Sequence, residues 1–356
     1  MKKGTGVVRF VLVFAVVALN YLWRKQGQLK SVDIGSDAAT SSNENSNTRT
    51  QKVRIQHPYL NLLKTETKDW KVFDASSTVP LFHDRGYECR WSKYRSQYSG
   101  RAAEMCLHQG AELISDQIEK KGHWNDCFSV SRQYHASFYN NHTKFVPLHL
   151  EIGANIGSCT MELLLSNPDV HVVAFEPFPK NLFSLSSTLL RNPSLHQRVT
   201  IFPIALGSER KDIQMITEAS TNMGTARLYA EPGKKPATRI GVNEPESIHV
   251  ERLDEILTIP KEIVVPFLKM DAQGSECSIV EGMRPLFPRI ARLITEVDLA
   301  LLADFKNCSA SILLQQLRTE GMDLYRYFNS GGLGQVEETK NSNVVGIRPE
   351  YVHKTA

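Results

Sequence analysis

A carboxylate followed at once by closely spaced glycines is the first place where this chain could hold a ligand: Glu151-Ile152-Gly153-Ala154-Asn155-Ile156-Gly157. Glycine lets a backbone turn tightly and approach a bound molecule. A dinucleotide turn reads G-x-G-x-x-G, but position 155 is Asn, so the pyrophosphate cradle is incomplete. The acidic lead-in instead suits a ligand with a cationic amino-acid end, although glycine turns between a strand and a helix also arise for purely structural reasons. A second carboxylate, Glu176 in Ala174-Phe175-Glu176-Pro177, follows Glu151 by about 25 residues, near the spacing at which an acid grips ribose hydroxyls in Rossmann-like sites. The plainer reading of Glu176 is a solvated carboxylate at a strand end. Further on, Ile204-Ala205-Leu206-Gly207 offers apolar residues that could flank an adenine ring, with Ala205 the candidate contact, or could pack in the core.

The third acidic element is Leu268-Lys269-Met270-Asp271-Ala272-Gln273-Gly274-Ser275-Glu276. Asp271 and Glu276 are candidates to orient a substrate hydroxyl or take its proton as a general base. The competing reading is structural, with Asp271 capping the next helix and Glu276 completing the cap. Glu296, in Leu293-Ile294-Thr295-Glu296-Val297, is a third catalytic candidate. The 11 histidines show no H-x-x-x-H or H-E-x-x-H spacing, so no metal site is expected.

The elements that must position these residues alternate between strand and helix, the pattern of a parallel sheet with crossover helices. Strands are expected over 146–152, 170–175, 199–206, 263–270 and 291–297. Helices are expected over 158–165, 179–191, 252–257, 275–283 and 309–320, with Pro179 placed to start one and Asn192-Pro193 to end it. Segments 322–328 and 344–348, separated by a Gly-rich turn, should close the sheet as an antiparallel pair. The expected fold class is therefore α/β, with a mostly parallel sheet covered by helices on both faces. Residues 53–145 form an aromatic-rich, partly helical extension in which 102–121 carries helical spacing, and no chemical motif is visible there.

Composition narrows the function classes. Of 356 residues, 41% are hydrophobic and 22% charged, ordinary for a globular protein. The net charge of +4 is dispersed, which gives no reason to invoke nucleic acid. Residues 6–23 are nearly all apolar and follow a short tail, 1–5, that carries Lys2 and Lys3. They read as an uncleaved signal-anchor, with a cleaved signal peptide as the rival. Residues 24–52, rich in Ser, Thr, Asn and Asp, suit a flexible stalk. Two N-glycosylation triplets, Asn141-His142-Thr143 and Asn307-Cys308-Ser309, lean toward a lumenal catalytic domain in the Golgi or endoplasmic reticulum. The six cysteines can pair, or can stand as buried thiols.

Taken together, EIGANIG, AFEP, IALG, RLDEIL, LKMDAQGSE and LITEV resemble, in order and approximate spacing, the FkbM family of methyltransferases, over about 146–350. That resemblance implies a Rossmann-like class I methyltransferase fold and S-adenosylmethionine as cofactor. It assigns Glu151, Gly153, Ala154, Asn155, Gly157 and Glu176 to the cofactor site. The usual acceptors in such a family are hydroxyl groups of sugars or natural products, and with a lumenal anchor a glycan or glycoconjugate hydroxyl becomes the expected acceptor. The chain departs from the family where Glu151 replaces a more usual Asp, and where Gln273 stands in place of a carboxylate. An anchored glycosyltransferase and an inactive, methyltransferase-like scaffold are the alternatives, the first lacking a D-x-D signature.

Overall fold

The computed structural model describes residues 52–55, 57–65, 70–138, 144–216, 227–228, 246–328 and 332–351, all within the compact unit Thr50–Ala356. The expected tail, the anchor and the stalk up to residue 51 lie outside the described residues, as do the triplet at Asn141 and most of the 217–247 segment. No helix among the described residues is long and apolar enough to cross a membrane.

The extension opens with an antiparallel pair, β1 (Lys52–Ile55) and β2 (Asn61–Thr65). A hairpin of β3 (Arg90–Arg95) and β4 (Ala102–Leu107) follows, then helices α1 (Leu113–Lys121) and α2 (Asn125–Ser137). The helix expected over 102–121 is therefore corrected to a strand and a shorter helix. Tertiary pairing overrides local spacing there: β4 pairs with β3 along its whole length, and the Cys106 N–H donates to Thr188 Oγ1 at 2.9 Å. Gly110, at φ 78°, turns the chain, and Glu112 then caps α1 by accepting from the Ser115 N–H at 2.7 Å.

Beyond residue 144 the alternation is regular. β5 (Leu148–Ile152), α3 (Ser158–Ser166), β6 (His171–Phe175), α4 (Pro179–Arg191), the single turn α5 (Pro193–His196) and β7 (Val199–Phe202) form the first half. The strand expected over 199–206 breaks at Pro203, which has no N–H for a ladder. Its second part is β8 (Ala205–Leu206), which joins β9 (Lys211–Ile216), β10 (Arg227–Leu228) and β11 (Glu246–Glu251) in a separate small sheet. After α6 (Leu253–Ile256) and β12 (Leu257–Thr258), which pairs with β2, Pro266 likewise confines the next main-sheet strand to β13 (Phe267–Met270). There follow α7 (Glu276–Met283), β14 (Arg292–Val297), α8 (Leu299–Ala303), α9 (Ala310–Thr319), β15 (Asp323–Tyr327), β16 (Leu333–Gly334) and β17 (Ser342–Ile347).

Among the described residues the main sheet has eight strands in the order β16-β15-β17-β14-β13-β5-β6-β7. Strands β14, β13, β5, β6 and β7 run parallel, and β17 enters antiparallel between β14 and β15. The chain winds from β5 outward through β6 and β7, then crosses to β13 on the other side of β5. That reversal leaves a crevice beyond the carboxyl ends of β5 and β13, where open α/β sheets bind ligands. Period-two alternation sends Leu150, Ile152, Val173, Phe175, Leu268 and Met270 to one face and Val172, Ala174, Phe267 and Ile294 to the other, so both faces bury apolar residues.

The extension is built into this body. Phe73 bridges Ile201 and covers the exposed edge at β7. Glu162 of α3, wholly buried, accepts from Tyr94 Oη, Ser96 Oγ and the N–H groups of Gln97 and Tyr98, fastening the β3–β4 turn to the helix. All six cysteines are paired, as Cys89–Cys106, Cys127–Cys159 and Cys277–Cys308, which resolves the choice between bridges and buried thiols. Peptide mapping without reductant should recover these three links and no free thiol; a different pairing would contradict the packing of α2 on α3. With sequence separations of 17, 32 and 31, each pairwise Cys→Ser replacement should lower unfolding free energy by about 3 kcal/mol in chemical denaturation.

Candidate active site

The site follows from the register of the sheet. Glu151 lies opposite Ala174 on β6 and Lys269 on β13, and Lys269 lies opposite Ile294 on β14. Two residues further along each strand, on the same face, stand Glu176, Gly153, Asp271 and Glu296, the last paired with Asn343 of β17. A row of polar groups thus crosses the carboxyl edge of the sheet. A cavity opens there and is lined by Glu151, Lys269 and every member of that row.

Gly153 makes the row possible. Its backbone sits at φ 78°, and a Cβ placed on it would lie 1.8 Å from the Asp271 carbonyl oxygen. The turn is pinned to its neighbours on both sides, by Gly153 N–H to Phe175 O at 2.9 Å and Asp271 N–H to Ile152 O at 3.0 Å. Asn155, at φ 53°, takes the left-handed conformation that Asn tolerates better than most residues. Its N–H donates to Glu176 Oε2 at 2.7 Å, and its own Oδ1 accepts from the Ile156 N–H. Gly157 serves the packing instead, since it precedes α3 at φ 87° with Leu185 lying where a Cβ would be, and it does not line the cavity.

Glu176 also accepts from the Phe178 N–H and from Asn181 Nδ2 on Oε1, which leaves Oε2 with a single donor and spare capacity for a ligand hydroxyl. Burial raises its pKa against those hydrogen bonds. Glu151 is 0% exposed; Thr160 Oγ1 donates to its Oε2 at 2.5 Å, while Oε1 has no partner. Burial pushes the Glu151 carboxyl up to about 7 despite the pull of Lys269. Ala205 lines the wall with Ile204, Leu206, Phe175 and Met215, an apolar slot beside Glu176.

Lys269 is a site residue that no sequence motif announces. Its Nζ donates to the Gly153 carbonyl at 3.0 Å and pairs with Asp271 Oδ2 at 3.3 Å. Burial works to lower its pKa, but Asp271, Glu151 and Glu296 together hold it above the ordinary lysine value. Gln273, in the left-handed region at φ 52°, donates from Nε2 to Asp271 Oδ1 at 2.8 Å and to Glu296 Oε2 at 2.9 Å, so the amide bridges two carboxyl groups. Burial first, then Asp271, pushes Glu296 up to about 8.

Glu276 stands apart. It is 2% exposed, does not line the cavity, and accepts from the N–H groups of Ala272 and Gly274, which organises the loop beneath Asp271. Those contacts tie the loop down without capping the helix, whose N-terminus has no side-chain cap hydrogen bond, and they leave the carboxyl group no path to an acceptor. Further residues unforeseen from sequence come from the extension, where Ile114, Trp124, Asp126, Ser129 and Val130 form one wall, and from β17, which brings Asn343.

The residues present fit S-adenosylmethionine. Its ammonium and sulfonium are cations, and the cavity sets Glu151, Glu176, Asp271 and Glu296 around Lys269. The orphaned Glu151 Oε1 suits the amino-acid end, the spare capacity of Glu176 suits the ribose, and the Ala205 slot suits the adenine. Among the described residues no group of His, Cys, Asp or Glu is arranged to hold a metal.

The Glu151 carboxyl has a testable consequence. The empty folded protein keeps a proton on Glu151 to about pH 7, whereas an unfolded glutamate loses it at roughly 4.3. Stability of the empty site therefore falls as pH rises through that window, and a bound cation opposes the loss. S-adenosylhomocysteine keeps a charged ammonium and serves as the titrant. Calorimetry should show its affinity weakening about tenfold from pH 8 to pH 6 as Glu151 gains a proton. Glu151→Gln should bind weakly at pH 8 and lose most of that pH dependence; an unchanged slope would remove Glu151 from the cationic end of the site.

Residues 151–321 match a family model described as the methyltransferase FkbM domain. "Methyltransferase 1" of Beauveria bassiana (strain ARSEF 2860) is 27% identical over 185 residues, which span 49% of this chain and 69% of that protein. A tRNA (guanine-N(7)-)-methyltransferase of Geobacillus sp. (strain WCH70) is 30% identical over 80 residues, 22% of this chain and 30% of that one. Among solved structures, the magnesium protoporphyrin IX methyltransferase of Synechocystis PCC 6803 with bound SAM aligns with a TM-score of 0.35 and 9% identity, over 67% of this chain and 85% of that one. At that level of likeness neither substrate nor chemistry transfers. The matched segment begins at Glu151 and runs through the Gly153–Gly157 turn, Glu176, Asp271 and Glu296. Residues 151–321 thus match the methyltransferase FkbM domain, and the chain is an S-adenosylmethionine-dependent methyltransferase.

Proposed function

We propose that the protein methylates a hydroxyl oxygen of a glycan or glycoconjugate in an oxidising, lumenal compartment, held there by its apolar segment 6–23 as a type II membrane protein. The observation that carries the acceptor class is the makeup of the cavity wall away from the adenine slot. Asp126, Asp271, Gln273, Glu296 and Asn343 converge there beside Trp124. Carboxylates and amides accept and donate hydrogen bonds to hydroxyls, and an indole face packs on the apolar side of a sugar ring. Three disulfides with no free cysteine among the described residues favour the compartment.

S-adenosylmethionine supplies an electrophilic methyl group on a sulfonium sulfur when bound. The chain's part is to orient the acceptor and take its proton. Asp271 is held from two sides, by Lys269 on Oδ2 and Gln273 on Oδ1. It is the group best placed to accept a hydroxyl proton, because the Gln273 bridge fixes it while leaving its side chain partly open to the cavity. Glu296, raised to about 8, holds its own proton at neutral pH and can donate to a neighbouring acceptor oxygen. Excluding water by the wall from α2 strengthens each of these contacts. The replacement of the family's carboxylate by Gln273 does not disable such a site, since the amide anchors Asp271 instead of repelling it.

The test is transfer of labelled methyl from S-adenosylmethionine to a panel of sugars, followed by mass spectrometry of the product. Asp271→Asn should lower kcat by about 100-fold or more while S-adenosylhomocysteine still binds. Retained turnover in that variant would exclude Asp271 as the base. Cofactor binding without transfer to any hydroxyl, sugar or otherwise, would favour the scaffold alternative. Transfer to nitrogen or carbon alone would overturn the acceptor class.

A further inference from the structure

Asp126 lies outside the matched methyltransferase segment, in the first turn of α2, yet it lines the cavity across from the row on the sheet. Its side chain makes no hydrogen bond or ion pair among the described residues, and the charges acting on it are those of Asp271 and Lys269. Two carboxylates facing one cavity repel each other unless a donor sits between them. A first-turn acid is favoured by the helix dipole, but Asn125, one position earlier and exposed, would serve the dipole without facing a like charge.

The next residue makes the placement rigid. Cys127 is bridged to Cys159 of α3, with a Cα separation of 4.6 Å, and Cys159 itself lines the cavity. Helix α3 begins directly after the Gly153–Gly157 turn, so the bridge registers Asp126 against the cofactor loop. The orphaned Oε1 of fully buried Glu151 in the same cavity is an independent sign that polar ligand groups complete this site.

We propose that Asp126 is an acceptor-binding residue contributed by the N-terminal extension, holding a hydroxyl adjacent to the one that faces Asp271. This rests on the glycan reading. It deepens that reading: the acceptor is a neutral sugar with two neighbouring hydroxyls, and anionic sugars such as uronates are rejected by the two carboxylates. Asp126→Asn is nearly isosteric, at an exposed position without hydrogen bonds, so the fold is not at risk.

Steady-state methyl transfer by the full chain is measured on neutral methyl glycosides and the matching uronates, alongside calorimetric binding of S-adenosylhomocysteine. For a neutral glycoside, Asp126→Asn should raise KM by about tenfold or more, the loss expected for one charge-assisted hydrogen bond, with kcat and S-adenosylhomocysteine affinity little changed. The same variant should narrow the gap between neutral sugar and uronate. An unchanged acceptor KM, or a loss confined to kcat, overturns the role of Asp126 and leaves the glycan reading standing. Wild-type protein that binds S-adenosylhomocysteine yet methylates no glycoside overturns both.

Discussion

The approach of the Gly153 turn to the Asp271 backbone is the contact on which the rest of this site depends. A side chain at 153 would occupy the Asp271 carbonyl oxygen, 1.8 Å away, and no rotamer of a neighbour could relieve that clash because the obstacle is backbone. With that space open, β5 and β13 end side by side, Lys269 reaches the Gly153 carbonyl, and Glu176, Asp271 and Glu296 fall into one row. The parallel register sets the spacing of the row. The loops beyond it only decide which lone pairs face inward.

A row of carboxyl groups at a buried edge is an electrostatic liability, and the chain handles each member differently. Glu176 is satisfied by backbone N–H groups and an amide. Asp271 pairs with Lys269, and Glu296 keeps a proton and shares the Gln273 amide. Among the carboxyl groups lining the cavity, Glu151 is the one that keeps a buried oxygen without a donor, which is a cost to the protein without ligand and a place for a cation. Strain of this kind concentrates where a ligand relieves it. The extension adds the outer wall, and its attachment through Glu162 and the Cys127–Cys159 bridge makes it part of the catalytic body.

What is legible in the sequence is what local chemistry dictates. The turn at Gly153–Gly157, the strand-end position of Glu176, the helix start at Pro179 and the antiparallel closure of β15 with β17 all rest on short-range rules, and the α/β alternation follows from them. Pro203 and Pro266 carry the signal that two expected strands are interrupted, and hydrophobicity alone hides it. Lys269 is invisible because its role comes from register: nothing in Leu268-Lys269-Met270 says that Glu151 lies opposite. Asp126 is invisible for a longer-range reason, since only the fold brings α2 over the sheet. At 102–121 helical spacing misleads, because the same apolar residues also fit a half-buried hairpin held by Cys89–Cys106.

The central claim is that the edge row built around Gly153 is the S-adenosylmethionine site, and a crystal structure of the protein with S-adenosylhomocysteine tests it most directly. The account predicts the ligand's amino group on Glu151, its ribose on Glu176 and its adenine against Ala205, with the thioether sulfur facing Asp271. Density for the ligand elsewhere, or a crevice left empty at saturating ligand, would contradict it.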